Sequence, residues 1–77
     1  MKICHYNLVF REEPEGGFTV IVPSLPGCVT YGKTYEEAKK MAKDAISGYI
    51  KSLKKHKEKI PVDRPAFLTL TEVKVAI

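Results

Sequence analysis

Gly16-Gly17-Phe18-Thr19-Val20-Ile21-Val22-Pro23-Ser24-Leu25-Pro26-Gly27-Cys28-Val29-Thr30-Tyr31-Gly32-Lys33-Thr34-Tyr35-Glu36-Glu37-Ala38 decides how this chain folds. It holds a glycine turn, a β-branched strand, a proline-bracketed corner, a short second strand and the start of the long helical pattern. Phe18, Val20 and Val22 alternate with Thr19 and Ile21, as a half-buried strand requires. Pro23 ends that strand because it has no N–H to give to a ladder. Two prolines and Gly27 then make a rigid corner, and Cys28–Tyr31 reads as the next strand, closed by Gly32-Lys33.

Upstream, Lys2–Glu13 alternates and is rich in β-formers. Cys4, Tyr6, Leu8 and Phe10 share its apolar face; Ile3, His5, Asn7 and Val9 share the mixed one. Between the first two strands Glu12–Gly17 is a hairpin turn, with Pro14 fixing φ at its entry and Gly16 and Gly17 able to take positive φ. Downstream, Thr34-Tyr35-Glu36-Glu37 fits a capping box, in which the Thr34 hydroxyl accepts from the Glu37 amide and Glu37 reaches back to Thr34. Ala38, Met41, Ala42, Ala45, Ile46, Tyr49, Ile50 and Leu53 follow at helical spacing, which predicts an amphipathic helix of about five turns on a sheet. Gly48, at the edge of that stripe, would permit close backbone approach. The pattern predicts fraying from Lys51 to Ile60, a loop marked by Pro61 and Pro65, and a last strand over Leu68–Ile77. The expected fold is therefore α+β, a two-layer, antiparallel-rich sheet with one long helix on one face, in the order β-β-β-α-β.

At 77 residues the chain has room for one domain, residues 1–77, and one thin core. Domains this small bury roughly 60–65% of their unfolded surface, which makes oligomerisation an expectation before any motif is read. Met1–Phe10 is too short and polar for a signal peptide, and no apolar run approaches the ~20 residues of a membrane span. A cytoplasmic protein without a membrane segment is expected, with Cys4 and Cys28 as free thiols. Neither they nor His5 and His56 stand at metal-ligand spacing.

No nucleophile stands with a base and an orienting group, and Gly16-Gly17 leads into no helix that could cradle a phosphate. The reading is a non-enzyme with no catalytic residue, cofactor, metal or small-molecule substrate. The net charge of +4 has one source. Thr34–Lys59 carries eight lysines against four acids, while the rest of the chain balances. Lys40, Lys43, Lys51, Lys54 and Lys55 are the candidate nucleic-acid contacts, although lysine is also the usual residue of a wet helix face and arginine, the better phosphate reader, is scarce. The corner Pro23, Ser24, Leu25, Pro26, Gly27 and Cys28 is the candidate partner-contact site, with Leu25 expected exposed at the tip of a rigid loop where binding costs little entropy. Ile3, Val9 and Ile21 are the candidate self-association residues.

The strand ending in Pro23, the P-S-L-P-G-C corner, the short strand to Gly32 and T-Y-E-E-A opening a helix together resemble the signature of the HicB-like antitoxin domain. With its flanking strand and helix the resemblance covers nearly the whole chain. It implies a partial ribonuclease-H-like fold without nuclease activity, assembled as a dimer or tetramer. It also implies binding to a small basic HicA-type toxin that cleaves mRNA. Ser24 stands where the family often has Asp, which removes a negative charge from the corner. No separate DNA-binding domain is expected here. The alternative is a stand-alone HicB-like protein without a toxin partner, using its lysine-rich helix face on RNA or another acidic surface.

Overall fold

The computed structural model describes residues 3–63 and 69–77. Three strands, β1 (Val9–Glu12), β2 (Phe18–Ile21) and β3 (Val29–Gly32), precede one helix, α1 (Tyr35–Lys55). The sheet has the order β1-β2-β3 and both pairings are antiparallel, with Phe10 opposite Val20 and Val20 opposite Thr30. This is the expected α+β arrangement.

The hairpin between β1 and β2 closes because Gly16 and Gly17 take φ of 102° and 83°. The Glu13 amide donates to the Gly17 carbonyl and the Gly16 amide to the Glu13 carbonyl. Glu13 also fastens the strands from the side, accepting from the Thr19 hydroxyl and from Arg11. These bonds hold its carboxyl below the usual carboxylate range, the Thr19 bond contributing most.

Alternation sorts the sheet into two faces. Val20 is fully buried on the inner face, where it meets Ala38 and Ala42 of α1, flanked by Leu8, Phe10 and Phe18. Small residues on the helix let it lie close to the sheet. A Cβ at Gly32 would lie 2.3 Å from the Ala38 amide nitrogen, so only glycine permits this approach of β3 to α1. Beyond, Val22, Leu25 and Cys28 form a second buried cluster against Tyr6, Leu8, Ala45, Ile46 and Tyr49. The helix thus rests on two contiguous apolar patches, one from the strands and one from the corner.

Several details depart from expectation. The first strand is shorter than Lys2–Glu13: pairing starts at Val9, opposite Ile21. The Val22 amide faces β3, donating to the Cys28 carbonyl (3.1 Å), and Pro23, next in line to face β1, has no N–H to give, so the β1–β2 ladder does not extend to residues 3–8. Lys2 itself lies outside the described residues. The Thr34 hydroxyl accepts from the Glu37 amide at 3.1 Å as expected, but the Glu37 carboxylate accepts from the Lys33 amide, not from Thr34. Lys33, one past the end of β3, is the amide left without a ladder partner.

The helix does not fray at Lys51 but continues to Lys55. Leu53 stays half-buried, and lysines suit both helix propensity and the negative end of the dipole. It stops where Lys57 takes φ of 55° and the Glu58 amide donates to the Leu53 carbonyl at 2.8 Å. Gly48 is exposed, with open space where a Cβ would sit, so it serves no close approach.

The largest difference lies at the end of the chain. Thr69–Ile77 forms no strand and is exposed throughout, so the expected last strand does not join this sheet; Pro65 and Leu68 lie outside the described residues.

Candidate functional site

The corner between β2 and β3 is built as a small hydrogen-bonded knot. The Leu25 amide donates to the Val22 carbonyl at 3.0 Å and the Cys28 amide to the Leu25 carbonyl at 2.9 Å. Gly27, with φ of 80°, makes the second reversal. The Tyr49 hydroxyl then donates to the Pro26 carbonyl at 2.8 Å, tying the knot to α1.

Leu25 corrects the sequence expectation. It is fully buried, packed with Val22 and Cys28 beneath α1. Two consecutive reversals aim its side chain back at the helix, where burying an aliphatic side chain contributes about 1.5–3 kcal/mol. Leu25 is thus the pin of the corner rather than its tip. Cys28 is buried as well, and burial pushes its thiol pKa up. Pro23, Pro26 and Gly27 are exposed, and Ser24 is half-buried. Of the six corner residues, these four present surface to a partner.

Asp63 was not legible in the sequence as part of this site. Its carboxylate accepts from the Ser24 hydroxyl and from the Asn7 amide, which draws the segment after α1 against the corner. The Tyr6 hydroxyl donates to the Pro61 carbonyl at 2.6 Å beside it. The Tyr6 hydroxyl pKa is raised, first by burial and then by Cys4 and Asp63. A negative charge therefore stands beside Ser24 although residue 24 itself carries none.

Lys40, Lys43, Lys51, Lys54 and Lys55 are all exposed on α1. At 3.6 residues per turn they occupy about a third of the helix circumference. Among the described residues the ion pair is Arg11–Glu13 at 3.1 Å, so none of these lysines is matched to an acid. Lys40 and Lys43, with Lys39, edge a groove of about 500 Å³ whose floor is Tyr6, Leu8 and Ile46.

Val9 and Ile21 face each other across β1 and β2 on the outer side of the sheet. Val29 stands opposite Ile21 on β3 and completes the row. It was overlooked because its strand is too short to show alternation. Ile3 is exposed but lies outside the paired ladder. Cys4 and Cys28 are unpaired, one exposed and one buried. Among the described residues no cluster of His, Cys, Asp and Glu could hold a metal ion, and no helix is long and apolar enough to cross a membrane.

Comparison with known proteins bears on what this arrangement is for. Residues 6–73 match the family described as HicB-like antitoxin of bacterial toxin–antitoxin systems. The UPF0150 protein Ta0767 of Thermoplasma acidophilum is 48% identical over 65 residues, covering 84% of this chain and 94% of that protein. The UPF0150 protein ssr1765 of Synechocystis is 35% identical over 60 residues, covering 78% of this chain and 76% of that protein. Antitoxin HicB 1 of Photorhabdus laumondii is 31% identical over 77 residues, so that this chain spans all of itself but 50% of that antitoxin. The match takes in the β1–β2 hairpin, the corner, α1 and the segment carrying Asp63, and the chain belongs to the HicB-like antitoxin family of bacterial toxin–antitoxin systems.

Proposed function

We propose that this chain is a non-catalytic binding module that masks a HicA-type mRNA-cleaving toxin, docking it on the corner between β2 and β3. The observation that carries this reading is the construction of the corner. Leu25 below, Tyr49 at the side and Asp63 in front hold Pro23, Ser24, Pro26 and Gly27 in one shape. A surface held in shape before contact loses little entropy on binding. The Asp63 carboxylate gives that surface a charge complementary to a basic partner, while the lysine excess lies on α1. The module works as a homodimer or homotetramer, with Val9 and Ile21 on the open sheet face contributing to self-association.

The test is retention of the toxin by the tagged chain through a moderate-salt wash. Stoichiometric retention of a small basic protein supports the reading, and loss of that retention in Pro26→Lys assigns it to the corner. A second reading follows from the unpaired lysines of α1, which would suit RNA or another acidic surface. It predicts that RNA is retained without protein and is released steeply as salt rises.

A further inference from the structure

Two unmet surfaces in this chain fit one another. The first is the groove of about 500 Å³ between the segment leading into β1 and α1, floored by Tyr6, Leu8 and Ile46. It exists because α1 lies mainly over β3 and β2 and covers the β1 side only in part, where Phe10 meets Tyr35. The outer edge of β1 is open too, since among the described residues β1 pairs with β2 alone. An open edge with an apolar trough beside it is what one added strand would complete.

The second is Thr69-Leu70-Thr71-Glu72-Val73-Lys74-Val75-Ala76-Ile77. Val73, Val75 and Ile77 alternate with Glu72, Lys74 and Ala76, the pattern of a strand with one buried face. Yet Val73 is 75% exposed and Val75 69% exposed, and no part of the segment is paired. The chain leading to it is tied down at Asp63 on the Asn7 amide, beside the entry to β1. Among the described residues the buried hydrophobics number six, of which Leu25, Val20 and Val22 are the largest. So small a core gains much from one further strand.

We infer that the segment Thr71–Ile77 of one copy adds as a strand to the open β1 edge of a second copy, with Val73, Val75 and Ile77 filling the groove over Tyr6, Leu8 and Ile46. A second copy is the occupant because the groove and its cover both belong to this sequence but do not meet within one chain. Reciprocal exchange between two copies buries both at once and closes into a two-fold dimer. The exchange is separate from toxin docking, because it uses neither the corner nor Asp63.

The experiment is disulfide trapping between full-length chains in a Cys4→Ser background, one carrying Leu8→Cys and the other Val75→Cys. The expected result is a heterodimer linked through these two positions on mixing and mild oxidation. If the mixed single variants fail to cross-link, or if a chain carrying both substitutions links only to itself and runs as a monomer, the inference is overturned. A second measurement guards against misfolding caused by Leu8→Cys. Val73→Asp with Val75→Asp alters only side chains that are exposed in the single chain, so the helix signal should be unchanged. Sedimentation should then show an assembly of half the mass of the unaltered one. An unchanged mass would also overturn the exchange, and it would leave the outer face of Val9 and Ile21 as the interface.

Discussion

The Tyr49 hydroxyl donates to the Pro26 carbonyl at 2.8 Å, across 23 residues of sequence, so corner and helix move as one body. Tyr49→Phe removes this single bond while keeping the ring packed on Val22, Leu25 and Cys28. Chemical denaturation should register a loss of about 0.5–1.5 kcal/mol. Toxin binding should weaken as well, because the exposed prolines are no longer held in place.

Leu25 and Pro26 are neighbours with opposite roles. Leu25→Ala empties a fully buried site and should cost about 2–5 kcal/mol of stability. Pro26→Lys changes an exposed side chain and should lower the unfolding free energy by only about 0.4–1 kcal/mol, through the freer unfolded chain. Binding to a basic partner should be lost in the second variant even though the fold is kept.

Two glycines should respond with opposite signs. Gly32→Ala drives a methyl group into the Ala38 backbone and should destabilise by about 1–3 kcal/mol as β3 and α1 move apart. Gly48→Ala adds its methyl group to open space in mid-helix and should stabilise by about 0.5–1 kcal/mol. Thermal melts of the two variants decide both.

The Glu13 carboxyl gives the chain an acid limb. Its folded pKa is lowered by the Thr19 hydroxyl and then by Arg11, so the unfolded chain binds the proton more readily than the folded one. The resulting stability is present above the unfolded carboxylate pKa and is lost as pH falls through the folded value. Thr19→Val should flatten this loss in a series of melts taken at falling pH.

The thiols should separate kinetically. Cys4 is exposed and should react with a thiol reagent at once, while Cys28 is buried with its pKa raised and should react only as the chain opens. Equal rates for the two would contradict the buried corner.

The hairpin, the corner, the capped helix and its apolar stripe were legible in the sequence because each rests on local chemistry: glycine at positive φ, proline ending a ladder, a threonine cap, helical periodicity. What was misread depends on where the chain turns in space. Leu25 looked like a tip because sequence shows that a corner is tight but not which way its central side chain points. Asp63 was invisible as a site residue because its partner Ser24 lies 39 residues away. Val29 carries its meaning only through register with Ile21. The last strand has the right alternation, but alternation does not say on which sheet a strand will pair.

The most direct measurement of the central claim is the rate of mRNA cleavage by a HicA-type toxin as this chain is titrated in, at low and at moderate salt. The account predicts that cleavage stops at a fixed stoichiometric ratio, that salt leaves the endpoint in place, and that folded Pro26→Lys gives no protection. Cleavage that continues under an excess of the chain, or protection that disappears with salt and survives Pro26→Lys, would contradict it.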